Sequence, residues 1–301
     1  MFAPGAQAAY PGGKGNIAVV ERYQDGAGEG GIFLRLLSSR GRLIRRSVQS
    51  CAFSALGFVP KANELCPSGP DFSRRGRKMA FSARGRLAIA NADGSGQVLL
   101  PRFTEFDDDP TWTRGPRLLF TGERGGKRNI YLVNSDGSGL RRLTGRGGRT
   151  PAYSSRGLVA YAADGYVRLV RPDGSRRRRF ARGGNPDFSP SGRTIVYDAT
   201  RAVETPSDRI TNARIYRKSL KRGATRRLVT RRAQDPVFSP DGRRILFVAT
   251  QRGSGALTRL ATVSPRGRQR RFVFKALGRE SGPPNTSLRP DLLDPAWQRR
   301  P

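Results

Sequence analysis

The chain is 301 residues long, with 57 basic and 23 acidic side chains, a formal net charge of +34 and no histidine. Without histidine the commonest general base, the usual Ser-His-Asp triad and the usual zinc centres are excluded. No apolar run reaches the roughly 18 residues of a membrane-spanning helix, and no GxSxG elbow, phosphate-binding loop or dinucleotide fingerprint occurs.

In chain order, residues 1–15 (MFAPGAQAAYPGGKG) are small, rich in Gly and Pro, and aperiodic. They read as a flexible terminus or as the remnant of a signal peptide with a small-residue cleavage site after Ala8 or Ala9, lacking its basic and apolar regions. Residues 16–301 read as one domain. Asn16–Glu21, Ile32–Ser38 and Leu43–Val48 are strand-like runs with no aromatic strand before them. Gln49–Gly69 reads as an insertion and holds the only cysteines, Cys51 and Cys66. An exported chain would pair them, closing the loop for about 3 kcal/mol in the chain-entropy model; the alternative is two separate thiols.

From Phe72 onward a unit repeats. Its anchors are Phe72, Trp112, Tyr153, Phe188, Phe238 and Trp297, spaced by 40, 41, 35, 50 and 59 residues. Each anchor closes a short first strand. A turn follows, Pro240-Asp241-Gly242-Arg243 in the clearest copy, where Gly tolerates positive φ. Then come an apolar second strand (Lys78–Ala83, Arg117–Gly122, Leu158–Ala163, Thr194–Ala199, Arg244–Ala249) and an alternating third (Arg86–Ala92, Asn129–Ser135, Val167–Arg171, Arg214–Leu220, Leu257–Ser264). A Gly turn and a basic fourth strand, such as Arg176–Phe180, complete the unit. Two insertions break the period, Arg201–Asn212 and Ala276–Leu293, and such loops are where function is usually grafted. The last run, Asp294–Gln298, is a first strand with nothing after it, and the first unit lacks one. Joining the two closes a ring without a free sheet edge. A period near 40 with about four strands per unit predicts an all-β, six-bladed β-propeller.

DPVFSPDGRRILF at Asp235–Phe247 and NSDGSG at Asn134–Gly139 resemble the TolB-type repeat, a WD-like propeller family, and decayed copies cover roughly 16–298. The unit at Thr150 departs most, with Thr for Asp and no Asp-Gly turn. The resemblance implies a rigid, protein-binding scaffold. It extends to the propeller alone, without the α/β domain of the fuller family members, so a role in the Tol system is not carried over.

Three residues before the anchors stand Gly69, Asp109, Thr150, Asn185, Asp235 and Asp294. First strands line a propeller's channel, so these positions are expected to ring one mouth of it. Asp109, Asn185, Asp235 and Asp294 are the candidate ligand- or partner-binding residues, with the acidic run Glu105–Asp109 adding to them; a cation or a partner's basic tip would suit. The competing reading is that Asp-Pro fixes a turn through local side-chain-to-backbone bonds. The anchors are expected to pack between sheets, sugar stacking being the lesser alternative.

Arginines outnumber lysines by 50 to 7 and concentrate on fourth strands, where charge blocks edge pairing. The sharpest basic run is Arg176–Arg179. No RNA-binding aromatic signature, helix-turn-helix or zinc finger accompanies them, so specific nucleic-acid binding is not expected. The expectation is a non-catalytic, monomeric, exported scaffold, periplasmic or extracellular, with a protein or cell-envelope partner and no metal or cofactor. Binding of an anionic polymer or glycan through the basic surface is the alternative, cytoplasmic location the alternative for compartment, and a carboxylate enzyme in the channel the third reading.

Overall fold

In the computed structural model the described residues are 13–24, 30–53, 67–199, 213–221, 223–250, 258–275 and 291–300. They form 24 strands in six antiparallel four-stranded sheets, with no helix among them. Blade 1 is ordered β24 (Asp291–Arg300), β1 (Gly13–Gln24), β2 (Gly30–Leu37), β3 (Leu43–Phe53). Blade 2 is β4 (Pro67–Phe72), β5 (Lys78–Ala83), β6 (Arg86–Asn91), β7 (Val98–Leu99), and blade 3 is β8 (Phe106–Trp112), β9 (Arg117–Arg124), β10 (Lys127–Asn134), β11 (Arg141–Arg142). Blade 4 comprises β12 (Arg149–Tyr153), β13 (Val159–Ala163), β14 (Tyr166–Val170) and β15 (Arg178–Arg182). Blade 5 comprises β16 (Gly184–Phe188), β17 (Thr194–Ala199), β18 (Arg214–Ser219) and β19 (Arg226–Val229). Blade 6 comprises β20 (Ala233–Phe238), β21 (Ile245–Thr250), β22 (Thr258–Val263) and β23 (Arg271–Lys275). The protein is a six-bladed β-propeller, as the repeat predicts.

The turns form for local reasons. In blade 6 the Ser239 hydroxyl donates to Asp241 Oδ1 (2.6 Å) and accepts from the Arg244 amide (2.8 Å), while the Gly242 amide donates to the Ser239 carbonyl (2.8 Å). In the third-to-fourth-strand turn of blade 3, Asp136 Oδ1 accepts from both the amide (2.9 Å) and the hydroxyl (2.7 Å) of Ser138. These are side-chain mimics of backbone turns.

The core is a set of seams between blades. All six anchor aromatics are buried. Phe72 packs with Val20 and Leu34 of blade 1, and Trp112 with Ala80 and Leu87 of blade 2. Trp297 packs with Val237, Leu246 and Leu260 of blade 6. The first strands of neighbouring blades touch around the whole ring. β24 closes it, pairing with β1 at Ile17↔Trp297 and Ala18↔Ala296.

Two boundaries differ from the sequence reading. Residues 49–53 are not insertion but the end of β3, paired with β2 at Ile32↔Cys51, and 67–69 open β4. The ladder runs on because β2 reaches back to Gly30, pairing Ala52 with Gly31 and Phe53 with Gly30. Cys66, and with it the proposed Cys51–Cys66 pairing, lies outside the described residues, as do residues 201–212 and 276–290 of the two later insertions.

Closure also depends on Gly41, at φ +86°, where a Cβ would overlap the carbonyl oxygen of Val273 on β23. Gly115 has nearly the same φ, +87°, and nothing within 4 Å. Gly115→Ala is expected to cost about 1 kcal/mol of backbone strain, and Gly41→Ala about 3 kcal/mol because the blade 1–6 seam must also shift. Thermal unfolding of the two variants measures the difference, and equal midpoints would mean that the seam yields freely.

Candidate functional site: a girdle of buried carboxyls

Each first strand breaks its ladder at one shared place, and β24 shifts a second time nearer its end. Gly69, Asp109, Thr150, Asn185, Asp235 and Asp294 all have left-handed φ, between +45° and +54°. The strand pairings skip at these points, between Asp108 and Thr111 in blade 3 and between Gln234 and Val237 in blade 6, which is the signature of a bulge. Every one of the six is followed by proline, which has no amide to leave unpaired in the gap. Gly, Asn and Asp tolerate this conformation; Thr150, β-branched, does not do so readily and is held there by the ring.

What holds the ring is side chains reaching to the next blade. Asp294 Oδ2 accepts from the Gly69 amide (3.0 Å). Asp109 Oδ2 accepts from the Thr150 amide (3.3 Å) and the Thr121 hydroxyl (2.9 Å). Asp198 Oδ2 accepts from the Asp235 amide (2.9 Å) and from Asn185 Nδ2 (2.9 Å), which also donates to Asp235 Oδ1 (3.0 Å). A second tier lies nearer the anchors. Asp71 accepts from the Trp112 amide (2.8 Å), Asp187 from the Phe238 amide (2.7 Å), and the Thr111 hydroxyl donates to the Pro151 carbonyl (2.7 Å).

The structure therefore brings Asp109, Asn185, Asp235 and Asp294 into one girdle, and it buries the three aspartates to 1%, 2% and 3% exposure. The acidic run divides. Asp108 joins the girdle, taking the Ser68 hydroxyl (2.8 Å) and the Asp109 amide (2.8 Å). Asp107 instead fixes the loop at Phe103 and Thr104, and Glu105 accepts from the Gly125 amide in an exposed turn. The run was expected to add to the site as a unit; Asp108 and Asp109 do so side by side because the bulge breaks the two-residue alternation, whereas Asp107 and Glu105 serve a loop and a turn.

Burial pushes the Asp109 carboxyl well above its usual range, and the charges of Asp108 and Asp294 push it further. Burial does the same to Asp235, joined by Asp198 and Asp294. Asp198 is raised by burial to about 6, against hydrogen bonds from Asp235 and Asn185 that favour its charged form. Asp108 Oδ2, Asp109 Oδ1, Asp235 Oδ2 and Thr150 Oγ1 have no hydrogen-bond partner among the described residues. Asp109 Oδ1 lies 3.5 Å from where a Gly69 Cβ would stand, so the one glycine of the six leaves space beside it. Among the described residues no three acidic or cysteine side chains are arranged to hold a metal ion.

Asp198, Asp71 and Asp187 escaped the sequence reading. Asp198 had a signal: a lone charged residue in the apolar run TIVYDA, at the strand position that Ser82 and Thr121 occupy in blades 2 and 3. Outside the girdle the balance inverts. Among the described residues nine acidic side chains are buried but only one basic one, Arg35, paired with buried Glu21. The outer surface is consequently more basic than the composition alone conveys.

No family model matches the chain, and no curated protein matches it in sequence. Solved structures do share its fold. TolB from Acinetobacter baumannii aligns with a TM-score of 0.65 at 17% identity, covering 94% of this chain, which spans 66% of that protein. A protein assigned as TolB from Agrobacterium tumefaciens aligns at 0.62 and 15% identity, covering 95% and 99% of the two chains. A chain of the nidogen–laminin complex aligns at 0.60 and 12%, covering 94% and 98%. Propeller enzymes are similar too, among them an oligogalacturonate lyase in complex with manganese at a TM-score of 0.51. Likeness at these identities speaks for the fold and leaves the chemistry to the residues. The protein has a six-bladed β-propeller fold similar to that of the TolB structures.

Proposed function

We propose that the protein is a non-catalytic binding scaffold that presents its face loops to a protein or cell-envelope partner. The observation that carries this reading is the girdle. The polar groups at the first-strand bulges are largely committed to joining blade to blade, which makes a rigid ring and leaves recognition to loops and rims. Asp109, Asn185, Asp235 and Asp294 enter recognition only where an oxygen is left over, as at Asp109 Oδ1 and Asp235 Oδ2; a basic tip of the partner is the group that such oxygens would accept. The small-residue stretch Ala3–Ala9 supports export, to the periplasm or beyond. Among the described residues no helix is long and apolar enough to cross a membrane.

A second reading, attraction of an anionic polymer or glycan, is favoured by the inverted charge balance. Capture of partners from the cell envelope at low and high salt separates the two. A partner retained at high salt is the scaffold's expected result, and its loss with Asp109→Ala/Asp235→Ala while the fold persists would bring the girdle's spare oxygens into recognition. Capture that vanishes with salt assigns binding to the net charge. Retention unchanged in the double variant removes the girdle from recognition.

A further inference from the structure

In blades 1, 2, 3, 4 and 6 the glycine of the third-to-fourth-strand turn packs at the outer edge of the blade before it. In blades 2, 3 and 4 this turn carries an aspartate, Asp93, Asp136 or Asp173, followed by glycine. Gly94 rests against Val48, Gly137 against Pro101 and Gly174 against Leu143, so each of these seams receives a carboxylate. At the first of them, Arg45 of β3 reaches back to the Asp93 carbonyl oxygen (2.7 Å).

Blades 1, 5 and 6 depart from the pattern, with Arg40, Arg222 and Arg266 before the glycine in sequence. The turn of blade 6 reads Ser264-Pro265-Arg266-Gly267, with the Gly267 amide donating to the Ser264 carbonyl (2.8 Å), so an arginine stands where blades 2–4 place aspartate. Gly267 rests on Leu228 of β19, which sets Arg266 over the outer edge of blade 5. Two arginines are already there. Arg217 of β18 and Arg226 of β19 are direct cross-strand partners. Like charges directly opposite each other destabilise a ladder, and Arg266 adds a third. Arg217 is half-buried, and its guanidinium is lowered first by burial and then by the charges of Arg226 and Arg266. None of the three has a hydrogen-bond or ion-pair partner among the described residues, whereas neighbouring Arg214, Lys218 and Arg244 each bind a carbonyl.

We propose that the seam between blades 5 and 6 is an oxyanion site in which Arg217, Arg226 and Arg266 hold a dianionic phosphoryl group. Three guanidiniums without a carboxylate supply forked donors suited to phosphate oxygens. A monoester with two negative charges offsets more of their repulsion than a singly charged diester, so the site favours a terminal phosphate over a nucleic-acid backbone. The site stands apart from the scaffold reading, because its ligand is read by the seam and not by the girdle or the loops.

The test uses the full chain and inorganic phosphate as probe, titrated calorimetrically at about 0.15 M salt, where diffuse surface attraction is screened. Arg266→Asp restores the turn of blades 2–4 and is expected to fold. It should lower phosphate affinity at least tenfold and, without phosphate, raise the thermal midpoint. Arg226→Gln provides a second variant with the turn untouched and the same expected loss. Arg146→Asp, an equal charge change at an exposed site in blade 3, should leave affinity within twofold. Equal binding by wild type and both seam variants, or an equal loss in Arg146→Asp, overturns the proposal. Sedimentation with phosphatidylcholine vesicles, with and without phosphatidic acid, places the phosphoryl group: recovery by phosphatidic acid that Arg266→Asp abolishes assigns it to a lipid headgroup, and a response to inorganic phosphate alone assigns it to a free ligand.

Discussion

Removal of Asp294–Pro301 is expected to abolish the closed ring. The deleted residues hold most of β24, the first strand of blade 1. Their loss turns β1 into an open edge, with a row of unpaired amides and carbonyls available to another chain. It also removes Trp297 from the blade 1–6 core. Truncating one buried tryptophan alone costs about 3–5 kcal/mol, and a whole domain is stable by only about 5–15 kcal/mol. Three further ties go with the strand: Asp294 to the Gly69 amide, Gln298 Oε1 to the Asn16 amide (2.9 Å) and Gln298 Nε2 to the Gly76 carbonyl (2.8 Å). These link β24 to both blade 1 and blade 2. Light scattering on the truncated protein should find aggregates or strand-exchanged oligomers. A soluble monomer with an unchanged thermal midpoint would refute closure by this strand.

The second large effect is on pH dependence. Burial, and in the case of Asp109 and Asp235 the neighbouring carboxylates, hold Asp109, Asp235 and Asp198 above their unfolded values. Each folded carboxyl then keeps its proton at a pH where the unfolded chain has lost it. Stability is therefore fully present below the unfolded value, 3.8 for Asp198, and is lost as pH rises through the folded value, about 6. Asp109 and Asp235 add to the loss in the same direction. With no histidine in the chain, no unperturbed side chain titrates between about pH 5 and 7.5, so a slope in that window reports the girdle. The Asp198 shift alone corresponds to a cost on the order of 2–3 kcal/mol above its folded value, or roughly 4–8 °C in midpoint. About half of that loss falls between pH 5 and pH 7.5, so Asp198 alone should lower the midpoint by roughly 2–4 °C across that window. Asp198→Asn and Asp235→Asn should flatten the fall and raise stability at pH 7.5. An amide oxygen can still accept from the Asp235 amide and Asn185, and asparagine already occupies the left-handed position in blade 5. A flat profile in the wild type would show that the acids are compensated within the ring.

The sequence by itself determined the blade count, the anchors, the turns and the closing strand. All of these follow from chemistry written along the chain: strand alternation, Asp-Gly turns, and aromatics returning every 35 to 59 residues. The same register picked out all six positions of the girdle before any of them was placed. Only the tertiary structure decided what those positions do. Their left-handed backbone and burial arise where six first strands meet, and Asp198 joins Asp235 across 37 positions of sequence. The seam of Arg217, Arg226 and Arg266 was invisible for the same reason. Its members are ordinary surface arginines in their own strands and turns, and their meeting is set by how one blade's turn docks on the preceding blade. Local periodicity is written along the chain, whereas electrostatic company depends on which blade faces which, and that is a property of the closed ring.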